Sequence, residues 1–147
     1  MRLVEFSMDY YEDVVDMFYD FNIELFSKYR KIGYKYFYYK AVMNWINDKK
    51  HIVICIDKDN NPIGFSLAYI DDNSGLTERY YNGEIAYVKP AYRKGKASYL
   101  LYKNVVAMSV QLGLNLNSNG RIENGIDKMI EKHFNPIPLF TNYERIL

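Results

Sequence analysis

Three cations, Arg93, Lys94 and Lys96, stand just ahead of a run in which Ala97, Leu100, Leu101, Val105 and Met108 recur at the spacing of one helical face. A helix N-terminus presents unpaired backbone N–H groups and about half a positive charge, so it receives phosphate readily and by itself disfavours cations. Cations gathered at such an end point to an anion, against the plainer alternative of a solvated basic turn. The run is fed by a short apolar and aromatic segment, Glu84 to Val88, which stops at a proline that cannot donate to a ladder. Residues 84–101 therefore read as strand, basic glycine-containing turn and helix. A second pair with chemical potential is His51 and Cys55, four apart on an apolar run and so on one face of a strand. A lone Cys in such a run behaves as a small hydrophobe, and burial is its expected role.

Val88-x-Pro90-x-Tyr92-Arg93, followed by a small-residue basic turn and a helix, resembles motif A of the GNAT N-acetyltransferase superfamily. There the pattern Arg/Gln-x-x-Gly-x-Gly/Ala wraps the pyrophosphate of acetyl-CoA. With Arg93 in the arginine position, the two glycine positions fall on Lys96 and Ser98. A register one residue earlier puts Gly95 and Ala97 in the small positions but replaces the arginine by Tyr92. The first register is preferred, since members with Tyr-Arg-x-Ser/Gly-x-Ala-Ala/Ser are similar to this chain. A glycine-poor turn can still aim its N–H groups inward as a nest.

The resemblance implies an N-acetyltransferase that uses acetyl-CoA as co-substrate, without a metal, through direct attack by a primary amine. It implies that the backbone of Ala86, Tyr87 and Val88 binds pantetheine, and that Arg93, Lys94, Gly95, Lys96, Ala97 and Ser98 hold the diphosphate. An alkylammonium must lose a proton before it can attack, and a partly buried carboxylate can accept it. Glu84, four residues before Val88, matches the position where many members carry a glutamate base; the alternative is a solvated glutamate at a strand end. Members often place a tyrosine acid on the last helix, where this chain has Ile130 in Met129-Ile130-Glu131-Lys132-His133-Phe134-Asn135. His133 and Tyr143 are the substitutes, although a histidine at a helix end also complements the dipole. The acceptor pocket implied for this fold brings Tyr34, Tyr36, Phe37, Tyr38, Asp71, Asp72, Glu78, Tyr80 and Tyr81 together. Tyr34, Tyr38, Tyr80 and Tyr81 are its expected substrate-binding residues, and aromatics beside carboxylates suit a cationic amine. The rival reading is a catalytically silent CoA-binding or partner-binding domain that kept this fold.

These residues need a scaffold, and its elements are legible in order. Arg2 to Phe6 alternates as an opening strand. Met8 to about Tyr29 carries a broad apolar face interrupted near Phe21-Asn22, consistent with one bent helix or two consecutive ones. Tyr34 to Asn47 is helical, His51 to Asp57 and Ile63 to Asp71 form a hairpin, and Asp72 to Asn82 reads as a polar arm. After the strand and helix of the motif, Gly113 closes the helix. Leu114 to Ser118 is a short strand, Ile122 to His133 a last amphipathic helix, and Phe140 to Leu147 a final strand. The expected fold is a single α/β (α+β) domain over residues 1–147, a largely antiparallel, GNAT-like sheet of six to seven strands flanked by about four helices.

The chain has 147 residues, enough for one sizeable core. Its 19 basic and 18 acidic residues give a net charge of +1, so no global field draws it to nucleic acid or membrane. With 16 Tyr and 8 Phe, 17% of the chain is aromatic, and tyrosines can sit half-buried around a cleft. One cysteine excludes an internal disulfide and suits a reducing compartment. No apolar run approaches the ~18 residues of a membrane span, and no leader is legible, so a soluble cytoplasmic protein is expected. Its expected partner is a small-molecule or peptide amine, with no nucleic acid or membrane, and a homodimer stays open.

Overall fold

In the computed structural model, which describes residues 1–72, 79–118 and 126–134, the sheet strands alternate with helices along the chain. The order is β1 (Arg2–Glu5), a 3-10 turn (Met8–Tyr10), α1 (Tyr11–Phe26), α2 (Lys35–Asn47), β2 (His51–Ile56) and β3 (Pro62–Asp71). There follow β4 (Tyr80–Val88), a 3-10 turn (Pro90–Tyr92), α3 (Ala97–Leu112), β5 (Asn115–Ser118) and α4 (Ile126–Phe134). The five strands form one sheet in the order β1-β2-β3-β4-β5. The first three pairings are antiparallel and β4–β5 is parallel, with α3 as the crossover. The expected terminal strand from Phe140 lies outside the described residues.

The apolar run Ile52–Ile56 is unbroken because β2 is buried on both faces. Ile52, Ile54 and Ile56 pack with Val14, Val15 and Met17 of α1 and with Val42 and Trp45 of α2. Val53 and Cys55 point the other way, onto Ala97 and Leu101 of α3. The helix α3 lies close upon the sheet at Gly64: an added Cβ there would stand 2.7 Å from the Tyr87 carbonyl oxygen and 3.3 Å from Leu101 Cδ1. Gly113 ends α3 at φ +69°, the left-handed conformation that glycine adopts without penalty.

Two features of β4 set up the site. Leu67 faces Ile85 while Ala68 faces Gly83, so Glu84 is an extra residue, a β-bulge in the middle of the strand. Pairing with β5 runs from Tyr80–Asn115 to Gly83–Ser118 and ends there among the described residues. The segment Tyr80–Gly83, expected as part of a polar arm, is strand, because partners on both sides outweigh the weak strand preference of Asn82 and Gly83.

Candidate active site

The open stretch of β4 exposes a defined set of backbone groups. Lys89 N–H donates to the Ile63 carbonyl at 2.8 Å. Continuing that alternation, Phe65–Tyr87 and Leu67–Ile85 are the hydrogen-bonded pairs of the ladder, while Gly64–Val88 and Ser66–Ala86 are the pairs between them. The N–H and C=O groups of Ala86 and Val88 therefore point to the open edge. The Val88 carbonyl accepts a hydrogen bond from Arg93 Nε at 2.8 Å, which leaves Ala86 N–H, Ala86 C=O and Val88 N–H facing outward.

Next to that edge the chain turns into α3. Lys96 is the N-cap residue and no side chain caps the helix. The first amide bonded into the helix is Leu100, to the Lys96 carbonyl at 2.9 Å, so the N–H groups of Ala97, Ser98 and Tyr99 precede the helical ladder. Ala97 is fully buried and anchors this end under the sheet face, while Lys94 and Lys96 are exposed. The turn is braced by Gly95 N–H on the Tyr92 carbonyl and by Tyr92 Oη near Asp57 Oδ2 at 3.4 Å. Asp57 also accepts the backbone N–H groups of Asn61 and Asp59, and the Asn61 bond leads in holding its carboxyl below the usual range.

Between these elements lies a cleft of about 630 Å³. Its walls are Phe21, Glu24 and Leu25 of α1; Ala86, Tyr87 and Val88 of β4; Arg93, Gly95, Lys96, Ser98, Tyr99 and Leu100; and Met129 and His133 of α4. Burial pushes the Tyr87 phenol above its ordinary value, the charges of Asp20 and Glu24 push it the same way, and Arg93 opposes them. Arg93 itself is bound in a fork by Glu24, Nη1 to Oε1 at 2.5 Å and Nη2 to Oε2 at 2.6 Å. His133 packs edge-on against Tyr99, with ring centroids 5.2 Å apart.

Of the residues expected to bind the co-substrate, Ala86, Tyr87, Val88, Arg93, Gly95, Lys96 and Ser98 line one cleft. Lys94 stands exposed on the same turn, and Ala97 lies beneath it. Glu84 is exposed at the bulge, outside the cleft lining, with Oε2 3.6 Å from Lys50 Nζ. That ammonium lies 4.3 Å from the centre of the Tyr69 ring, whose hydroxyl accepts Asn82 Nδ2 at 2.8 Å.

The four expected acceptor tyrosines are not gathered. Tyr34 is 78% exposed ahead of α2. Tyr38 packs on Phe18 and Tyr19 between the first two helices. Tyr80 begins β4 opposite Asp71. Tyr81 is buried on the opposite, α3-facing side with Ala68 and Val105, its hydroxyl 2.8 Å from His51 Nδ1. Burial raises its phenol to about 12. Cys55 is fully buried and its thiol is likewise pushed up, so the His51–Cys55 pair is a packed thiol beside a tyrosine-bound imidazole. Tyr143 and Glu78 lie outside the described residues. Sequence reasoning missed Glu24 as a cleft residue, because its partner is 69 positions away and no local spacing announces it.

No protein-family model matches the chain, and no curated protein matches it in sequence. Solved structures do. A "probable acetyltransferase" superposes with a TM-score of 0.77 at 16% identity, over 100% of this chain and 98% of that one. A "possible acetyltransferase" from Clostridium difficile 630 gives 0.76 at 14% identity, over 99% and 97%. The apo aminoglycoside antibiotic 6'-N-acetyltransferase AAC(6')-IG from Acinetobacter haemolyticus gives 0.69 at 15% identity, over 100% and 99%. Identities this low carry the fold alone. The chain has the α/β fold of the GNAT acetyltransferases, as its strand–turn–helix motif led one to expect.

Proposed function

We propose that the protein is an N-acetyltransferase that moves an acetyl group from acetyl-CoA to a primary amine. One observation carries the reading: the open edge at Ala86 and Val88 and the uncapped start of α3 share a single cleft. The chemistry of that donor set fits the co-substrate. Amides of Ala97, Ser98 and Tyr99, with Lys94 and Lys96 beside them, suit a diphosphate. Outward N–H and C=O groups two residues apart suit the two amides of pantetheine, as an added strand. When bound, acetyl-CoA supplies an acyl thioester. The amine nitrogen forms a bond to the acyl carbon, the C–S bond breaks, and coenzyme A leaves as a thiol.

In this reading an N–H of the β4 edge faces the thioester oxygen, where such a donor is worth about 3 kcal/mol to the transition state. Glu84, at the bulge next to that edge, takes the proton of the attacking ammonium, directly or through water. The leaving thiolate is a weak base and needs no dedicated acid. Asp20 and Glu24 on the α1 side of the cleft favour a cationic acceptor.

The test is thermal and kinetic. Acetyl-CoA at about 100 times its dissociation constant adds about 2.7 kcal/mol, a rise in Tm of roughly 5–10 °C for a domain of this size. Amines should then release free thiol. Glu84→Gln should lower kcat by about 10²–10³-fold and keep the Tm rise. Stabilisation by acetyl-CoA with no thiol from a wide amine panel selects instead the silent CoA-binding domain, a reading favoured by the Lys50 ion pair on Glu84. No stabilisation at millimolar acetyl-CoA rejects both.

A further inference from the structure

Arg93 occupies the arginine position of the motif, yet its guanidinium is already committed. Both terminal nitrogens hold Glu24 in a fork at 2.5 and 2.6 Å, Nε donates to the Val88 carbonyl at 2.8 Å, and the plane stands 5.5 Å from the Tyr87 ring centre. Paired in this way Arg93 and Glu24 are neutral together, so the pair offers a diphosphate no net charge. Glu24 lies in the last turns of α1, Arg93 in the turn before α3, and both line the cleft on opposite sides of Tyr87. The Val88 carbonyl is one of four backbone groups on the open edge, and Arg93 alone claims it.

We infer that Glu24 and Arg93 form a strut that holds α1 against the end of β4 and fixes the open edge, and that the Arg93 side chain is not a phosphate ligand. Arg93 and Glu24 are thus positioning residues. The strut exists in the ligand-free protein; its consequence for coenzyme A rests on the acetyltransferase reading. The two roles predict opposite signs for one substitution. If Arg93 were a phosphate ligand, Glu24 would be its competitor, and Glu24→Gln would tighten coenzyme A. For a strut, Glu24→Gln and Arg93→Gln remove the same brace, and each weakens coenzyme A.

The experiment is a double-mutant cycle with Glu24→Gln, Arg93→Gln and both together, read in two ways. Amide exchange in the ligand-free protein comes first. Each single variant should speed exchange at Tyr87, Val88 and Lys89 equally, and the double variant no further. Titration with coenzyme A comes second. Each single variant should lose about 5-fold in affinity, and the double variant should match them. Arg93→Lys, which keeps the charge and loses the fork, should behave like Arg93→Gln. Tighter binding by Glu24→Gln, rescue of affinity by Arg93→Lys, or singles whose effects multiply in the double would each overturn the strut. Should the wild-type protein not bind coenzyme A, the acetyltransferase reading falls, and the exchange arm still decides the strut by itself.

Discussion

The two halves of β4 have the same backbone and opposite uses. From Tyr80 to Gly83 the strand is paired on both sides, with β3 and with β5, and its side chains finish the core against α3. From Ile85 to Val88, past the bulge at Glu84, one side keeps its ladder and the other looks into the cleft. Alternation of side chains cannot produce that difference, since both halves alternate. Loss of a neighbour does. A closed half anchors the strand so that the open half can hold bare backbone groups in fixed directions.

A proline breaks the comparison most sharply. At Asn82, where both edges are paired, it removes a ladder bond and should cost about 3 kcal/mol or more, seen as a large loss of Tm. At Ala86, whose N–H points outward, the ladder with β3 survives. Ala86→Pro should therefore fold and lose the binding of coenzyme A. Equal loss of stability at the two sites would remove the distinction between the halves.

Gly64→Ala comes next. The added methyl meets the Tyr87 carbonyl rather than a movable side chain, so unfolding in denaturant should show a loss of about 1–3 kcal/mol. Tyr81→Phe tests the closed half more gently, removing the hydrogen bond to His51 for about 1 kcal/mol. It also removes a pH dependence of known sign. The Tyr81 phenol is raised from 10.0 to about 12 in the folded chain, so the unfolded chain loses its proton first. Its contribution is whole below pH 10 and is lost as pH rises through about 12. Stability of the wild-type protein should fall across that window, and that of Tyr81→Phe should fall less. The smallest effects belong to the open half's cations. Lys94→Gln and Lys96→Gln should each weaken coenzyme A by about 0.3–1 kcal/mol, less at high salt, with unchanged stability.

Most elements were legible because their information is local. The continuous apolar run of β2, the helical face of α3, the proline stop after Val88 and Gly113 as a helix end all lie within a few residues of what they specify. The turn before α3 was legible for the same reason. Partner choice was not. Arg93 reads as a free cation until Glu24 arrives from α1, and Tyr81 reads as an acceptor contact until strand pairing turns it toward His51. The strand from Tyr80 to Gly83 was hidden as well, since Asn and Gly earn no strand preference and the ladder is made by β3 and β5. Where a residue's role depends on something distant in the chain, spacing is silent.

The burial of Cys55 beneath α3 has a practical consequence at the bench. It is the chain's single cysteine, wholly shielded, with its thiol held in the protonated form by that shielding. A disulfide dye added to the folded protein should develop colour only from coenzyme A set free by turnover. Colour without any acceptor amine would instead time how often α3 lifts away from the strands below it.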